Sequence, residues 1–479
     1  MNISLIIIIL YIAMLFVISF FARKKASKGG ESYTLAGRQL TTPMVTCSLI
    51  GLAIGGASTI GVAEQAYNVG LSAGWYNVAW GIGAIIMGLA LASKYRKFNV
   101  STVPELFGKF YDEKGRFVCV LCQIIILIVV VSLQYIAGGA ILSSLLPNIF
   151  TIKTGMIVSA CVFVGITFIG GMWSAGLCNL FNVPLKYTGI ILCTILSVSQ
   201  RGGLQNIRLS LPQGIPYFSP IKGVGLWIIL SWILVMTTQV MSMQGPVQLT
   251  FAAKDPKVAR NGFVFGGLLM IPIGFLCALI GMSAKTAFPH VSATMALPKM
   301  ILSLNPVAAG ITLAALWAAD VSTACNLLLG ASTLVTNDIY KKFLNQKVED
   351  KKLLVITKLF VVIIGVFTFI LALSMSGILK TISIGLSLTT AFTIVFLFTI
   401  FAPKLCRKNS AFYTTIAGII TLFLWQLLPS FRIFPHVIFM EWIICLAAFF
   451  LTSILDKTKI HNPEFKDKES VYNSKYIKA

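Results

Sequence analysis

Residues 314–342 read AALWAADVSTACNLLLGASTLVTNDIYKK, a run long and apolar enough to cross a bilayer. Yet its middle carries Asp320, Ser322, Thr323, Cys325 and Asn326. An aspartate at the bilayer centre costs roughly 2.5–3.5 kcal/mol on insertion scales, so a helix keeps such a cluster only where it faces protein, water or an ion. The cluster therefore points to a pathway through the membrane. A second anomaly is Lys186, which lies deep in another apolar run. Lys358 is also within an apolar run, but near its end, where the ammonium can reach the interface.

These residues need a membrane to make sense, and the composition supplies one. The chain has 479 residues, 57% of them hydrophobic and 11% charged. The mean hydropathy is +0.89. These values describe a polytopic helical membrane protein. The formal net charge of +23 does not signal nucleic acid, because the basic residues sit in short loops between apolar runs. The expected partners are the lipid bilayer and a small-molecule substrate, with no nucleic acid. The ten cysteines fall mostly inside apolar segments, and Cys119 and Cys122 read as packing thiols rather than metal ligands. Histidines occur only at 290, 436 and 461. No buried histidine set and no nucleotide-binding glycine loop is present, so neither an enzyme nor a pump is expected, and no cofactor.

About thirteen apolar segments are predicted, near 3–22, 43–66, 74–93, 117–145, 152–172, 174–199, 223–245, 262–288, 306–336, 353–375, 380–402, 411–429 and 434–455. The first ends in Arg23-Lys24-Lys25 and reads as an anchor entering from outside rather than a cleaved signal. Alternation from there places most Lys and Arg on one side, in loops at 23–38, 94–116, 254–260, 341–352 and 404–408 and in the tail. By the positive-inside rule this gives a multi-pass plasma-membrane protein with its N-terminus outside and its C-terminus in the cytoplasm.

Two segments are interrupted. The second, PMVTCSLIGLAIGGASTIGVAEQAY, is punctuated by Gly51, Gly55, Gly56 and Gly61. The seventh, LVMTTQVMSMQGPV, holds Gln239, Gln244 and Gly245-Pro246. Broken helices at matching places in two halves point to an inverted-repeat secondary transporter with a midplane site. Unwound backbone there offers carbonyls to a cation and helix N-termini to an anion. The expected organisation is an anchor helix and basic loop at 1–42, a first repeat at 43–200 and a second at 201–403. Two peripheral helices at 404–455 and a basic cytoplasmic tail at 456–479 follow.

Three stretches carry a resemblance to the sodium/solute symporter family, which includes sodium/proline, sodium/galactose and sodium/sialic acid carriers. They are LAGRQL at 35–40 with SLIGLAIGGASTIG at 48–61, GGMW at 170–173, and VSTACNLLLGASTLVTNDIY at 321–340. A weaker echo is QLTFAAKDPKVARNG at 248–262. The resemblance implies an all-α integral membrane protein with a leucine-transporter-type core of five-plus-five inverted repeats and broken helices. It also implies sodium-coupled symport of a small organic solute by alternating access, with Na+ as the coupling ion. Matched by position, sodium would be held by the carbonyls of Gly51, Ile54 and Ala319 and the hydroxyls of Ser322 and Thr323. Residues 319, 322 and 323 share one helical face, as this requires.

The chain also departs from the family. Asn179 stands where a carboxylate is usual and Asn182 where a glutamine is, so a second sodium site relying on that acid is in doubt. Asp320 replaces an apolar residue, and Lys186 flanks the same region. Lys186 and Asp320 can form a structural ion pair, Lys186 can hold a substrate carboxylate, or its ammonium can sit beside or in place of sodium. The last option leaves open a proton-coupled or cation-independent carrier. Candidate solute contacts are Ser58, Trp75, Asn77, Thr237, Thr238 and Gln239. Trp75, Tyr76 and Trp80 can equally form an interfacial aromatic belt. An amino acid or small organic anion is expected as substrate. A transporter-like membrane sensor is the alternative class, although it needs a signalling domain.

Overall fold

A computed structural model describes residues 3–374 and 386–460, without the side chains of residues 4 and 145. Residues 461–479 of the expected tail at 456–479 and the start of the span at 380–402 lie outside the described residues. The described chain is helical, apart from loops and a single bridge between Leu40 and Ala253. The principal helices are α1 (Ile3–Ala26), α2 (Thr42–Ala53), α3 (Val62–Val69), α4 (Trp75–Met87), α5 (Glu113–Leu145), α6 (Ile152–Gln200) and α7 (Leu226–Ser242). Then come α8 (Gln244–Ala252), α9 (Pro256–Ala287), α10 (Pro306–Leu334), α11 (Asp350–Ser374), α12 (Thr389–Phe401), α13 (Ser410–Leu427) and α14 (Val437–Leu455).

Among the described residues nine helices are long and apolar enough to cross a membrane, or ten with the bent pair α7 and α8. The larger number expected from the sequence differs because continuous helical runs hide chain reversals. The uninterrupted 49-residue α6 would run about 74 Å if straight, more than twice the thickness of a bilayer core. It folds back at Gly171, whose φ of +48° and ψ of −132° are open only to glycine. The two arms lie side by side: Trp317 of α10 meets Ser159 of the first arm, while Ala315 lies against Gly189 of the second. A second reversal follows α3, where Gly70 has a φ of +80°. There Asn77 reaches back to the carbonyl of Ser58, 19 residues earlier. The span α12 is apolar but shorter than a full crossing over its described residues.

The helix breaks fall where glycine and sequence punctuation predict them. α2 ends at Ala53, with Ile54 leaving the helical region at φ −97°, ψ 78°. A short wide turn at Ala57–Gly61 then leads into α3. α7 stops at Met243, whose extended backbone bends the axis by 46° into α8. α10 is the axis of the molecule. Its apolar window is 83% buried, against 28% for α1 and 39% for α11, and it packs most extensively on both arms of α6. A helix enclosed on all sides by protein can carry polar residues at no cost to lipid, which explains how α10 tolerates its central cluster.

Candidate functional site

The break after α2 is where the chemistry converges. Within the last turn of α2 and its break, the carbonyls of Gly51 and Ile54 have lost their helical partners and point toward α10 and α6. From α10, Ser322 and Thr323 bring their hydroxyls to the same place. The Ser322 Oγ lies 3.0 Å from the Gly51 carbonyl and 3.0 Å from that of Ala319. The Thr323 Oγ1 lies 3.0 Å from the Gly51 carbonyl, 3.2 Å from that of Leu52 and 3.1 Å from that of Ala319. The approach is close because Gly55 presents no side chain: a Cβ there would stand 2.7 Å from the Thr323 Oγ1. Five neutral oxygens at one point are the donor set a hard monovalent cation takes.

A cation is already there. Lys186, fully buried on the second arm of α6, extends its side chain into this ring of oxygens. Its Nζ donates to the Gly51 carbonyl at 3.3 Å, to the Ile54 carbonyl at 3.1 Å and to the Ser322 Oγ at 2.6 Å. The ammonium has three N–H bonds and uses them on these three acceptors, so its hydrogen-bonding capacity is met. The carbonyls also lie at the C-terminal end of α2, the negative end of the helix dipole, which favours a positive charge. A second unit charge 4 Å away would be repelled by about 4 kcal/mol at an effective dielectric of 20.

The anticipated pairing of Lys186 with Asp320 does not occur in this conformation. Helical phase is the reason: Asp320 is two residues from Ser322, so it projects away from the α2 break. Its carboxylate is fully buried near Gly138 and Ser159, and neither oxygen has a hydrogen-bond partner among the described residues. A Cβ on Gly138 would stand 2.7 Å from Asp320 Oδ2. Asn179, at the position where the family has an acid, faces α2. Its Nδ2 is 3.5 Å from the Ser48 hydroxyl, and a Cβ on Gly51 would lie 2.7 Å from its Oδ1. Asn182 instead accepts a hydrogen bond from Tyr11 of α1 at 2.8 Å.

A small cavity of about 50 Å³ adjoins the ion site and shares Gly55 and Thr323 with it. Of the expected solute contacts, Ser58 and Gln239 line this cavity. Asn77, Thr237 and Thr238 do not. Asn77 is occupied with the Ser58 carbonyl and Thr238 with the Val235 carbonyl and Thr389, while the main chain of Thr237 packs on Gly83 of α4. Trp75 is turned outward and donates to the Pro220 carbonyl. Tyr76 and Trp80, read as belt residues, line the cavity, as does Gln134 of α5. The Oε1 atoms of Gln134 and Gln239 and the Nε1 of Trp80 are buried there without partners. The spacing of Tyr76 and Trp80, one turn apart, was the available sequence signal. Gln134 could have been found as a buried amide in an otherwise apolar span.

A larger cavity of about 330 Å³ continues from Ala57 and Tyr76 toward Glu64, Asn68 and Trp232. Toward the opposite end lies a further cavity of about 300 Å³ beside Ser101, Glu105 and Arg116. There Arg116 pairs with buried Asp338 at 2.7 Å, and Gln244 accepts from the Val103 amide at 2.8 Å.

The chain matches the model of the sodium:solute symporter family over residues 33–418. The sodium/glucose cotransporter of Vibrio parahaemolyticus is 26% identical over 392 residues, covering 74% of this chain and 71% of that protein. The osmoregulated proline transporter of Bacillus subtilis is 26% identical over 389 residues, 76% of each chain. Among solved structures, a Na+-coupled sialic acid symporter in a substrate-bound outward-open state superposes with a TM-score of 0.84 at 17% identity. That match covers 96% of this chain and 99% of the other. A nucleobase-cation-symport-1 family transporter in a closed conformation gives 0.64 at 14% identity, covering 89% and 94%.

Proposed function

Because this chain belongs to the sodium:solute symporter family, we propose that it carries a small organic solute across the membrane by alternating access, coupled to the movement of Na+. The observation that carries this reading is the ring of oxygens from Gly51, Ile54, Ala319, Ser322 and Thr323 at the break in α2. These groups come from two packed helices, so an ion bound between them biases their relative position, which is what coupling requires. The adjoining cavity supports the solute role. It offers two amide oxygens, one indole N–H and the N-terminal turn of the helix resuming at Ala57. Among the described residues no charged side chain lines it. Such a set suits a zwitterion: the amide oxygens accept from an ammonium, and the free N–H groups of the resumed helix receive a carboxylate. A neutral amino acid is the substrate class this favours. The Arg116–Asp338 pair lies at the end carrying the basic loops, adjoining those at 94–116 and 341–352. By the positive-inside rule that end is cytoplasmic, with the N-terminus outside and the C-terminus inside.

The test is solute-dependent thermal stabilisation of the purified carrier, with and without sodium. A neutral amino acid should raise the melting temperature more in NaCl than in choline chloride. Equal shifts in both salts would remove sodium from the reading, and stabilisation by sugars alone would remove the amino acid.

A further inference from the structure

The oxygens that would receive sodium are the ones that hold Lys186. We propose that the ammonium of Lys186 is a built-in occupant of the cation site, and that sodium binds there only by displacing it. This rests on the sodium symport reading and says how that site is regulated. Three observations converge on it. The Nζ reaches the two carbonyls freed by the α2 break, at 3.3 and 3.1 Å, and the Ser322 hydroxyl at 2.6 Å. The side chain is fully buried, so the contact is not a surface lysine resting in a groove. Asp320, the carboxylate that could have drawn the ammonium elsewhere, makes no ion pair with it in this conformation and has no hydrogen-bond partner among the described residues.

The consequence is competition between two monovalent cations for one place. With the ammonium seated, α2, α6 and α10 are tied together without an external ion. Sodium entry then exchanges one unit positive charge for another at that point, and the ammonium leaves its three acceptors. The device lowers sodium affinity, because part of the favourable binding is used to displace a ligand already in place. It also keeps the α2 break from collapsing when sodium has left, so the carrier can return without an ion.

The measurement is binding of ²²Na+ to the purified, detergent-solubilised protein, which needs no knowledge of the solute. Wild type is compared with Lys186→Met, Lys186→Gln and Lys186→Arg, each checked for monodispersity. The neutral variants should bind sodium at least tenfold more tightly than wild type. Lys186→Arg, which keeps the charge, should not gain affinity. Adding Thr323→Ala to Lys186→Met should remove the gain, which ties it to this ring of oxygens. Unchanged or weaker sodium binding in both monodisperse neutral variants would overturn the proposal while leaving sodium symport standing. Sodium binding that appears only in the neutral variants would support the proposal and count against sodium coupling in the wild type. Sodium binding to none of the proteins would overturn both.

Discussion

Thr323 and Ser322 are adjacent, but they do different work. Ser322 receives the Lys186 ammonium, whereas the Thr323 hydroxyl hydrogen-bonds to the carbonyls of Gly51, Leu52 and Ala319. Removing the Thr323 hydroxyl takes away one oxygen of the ring without touching the lysine. Thr323→Ala should therefore weaken sodium binding by about tenfold, the scale of one hydrogen bond or ligand to a charged group. Ser322→Ala also releases Lys186, so its effect on sodium should be smaller. Titrating sodium against protein stability distinguishes the two. In the cavity, Gln239→Leu should lower solute affinity by about tenfold, because it deletes a buried acceptor aimed at the solute. A competition assay with the stabilising solute reads it. At this scale the sequence was informative about Lys186, whose charge inside an apolar run is met by three oxygens, whereas it marked Asp320 as unusual without showing that the two stay apart. It was less informative about Thr237 and Thr238. Which face of α7 looks into the cavity depends on the helix phase entering the break at Met243, and that phase is set by packing against α12 and α4.

The breaks and bends of the elements put these residues in register. Without the reversal at Gly171 the second arm of α6 could not bring Lys186 to the α2 break. Gly171→Ala would place an L-residue at positive φ and press its Cβ onto the Tyr33 carbonyl. Strain of this kind costs about 1–3 kcal/mol. The melting temperature in detergent should drop by several degrees, with sodium and solute binding reduced together because both depend on the arm. The GGMW motif that carried part of the family resemblance is thus also the hinge of α6. The sequence separates the two arms as spans near 152–172 and 174–199, and the structure places the turn between them at Gly171. The break in α2 was legible from its glycines. Its function needed the packing, because only the structure brings Gly55 against Thr323 and Gly51 against Asn179.

Seen whole, the bundle has a cavity toward each end. At the basic end the Arg116–Asp338 pair ties α5 to the residues after α10, with Lys342 and Glu113 at 2.8 Å on its rim. Asp338→Asn removes the charged partner of a largely buried guanidinium, a loss that commonly costs about 3–5 kcal/mol. The cost falls on the conformation that makes this pair. The variant should therefore shift toward one open at that end, read as faster labelling of a cysteine placed at Ser101 in the space beside Arg116. Lys342→Ala, on the exposed rim, should change labelling little. The central claim is that the ring at the α2 break couples a small solute to sodium. It is tested most directly in proteoliposomes, with a panel of labelled neutral amino acids and glucose as the sugar control. An inward sodium gradient should drive at least one amino acid above its external concentration. Potassium in place of sodium should abolish the accumulation, and Thr323→Ala should reduce it at sodium concentrations that saturate the wild type. Accumulation that is equal in sodium and potassium, or unaffected by Thr323→Ala, would contradict it.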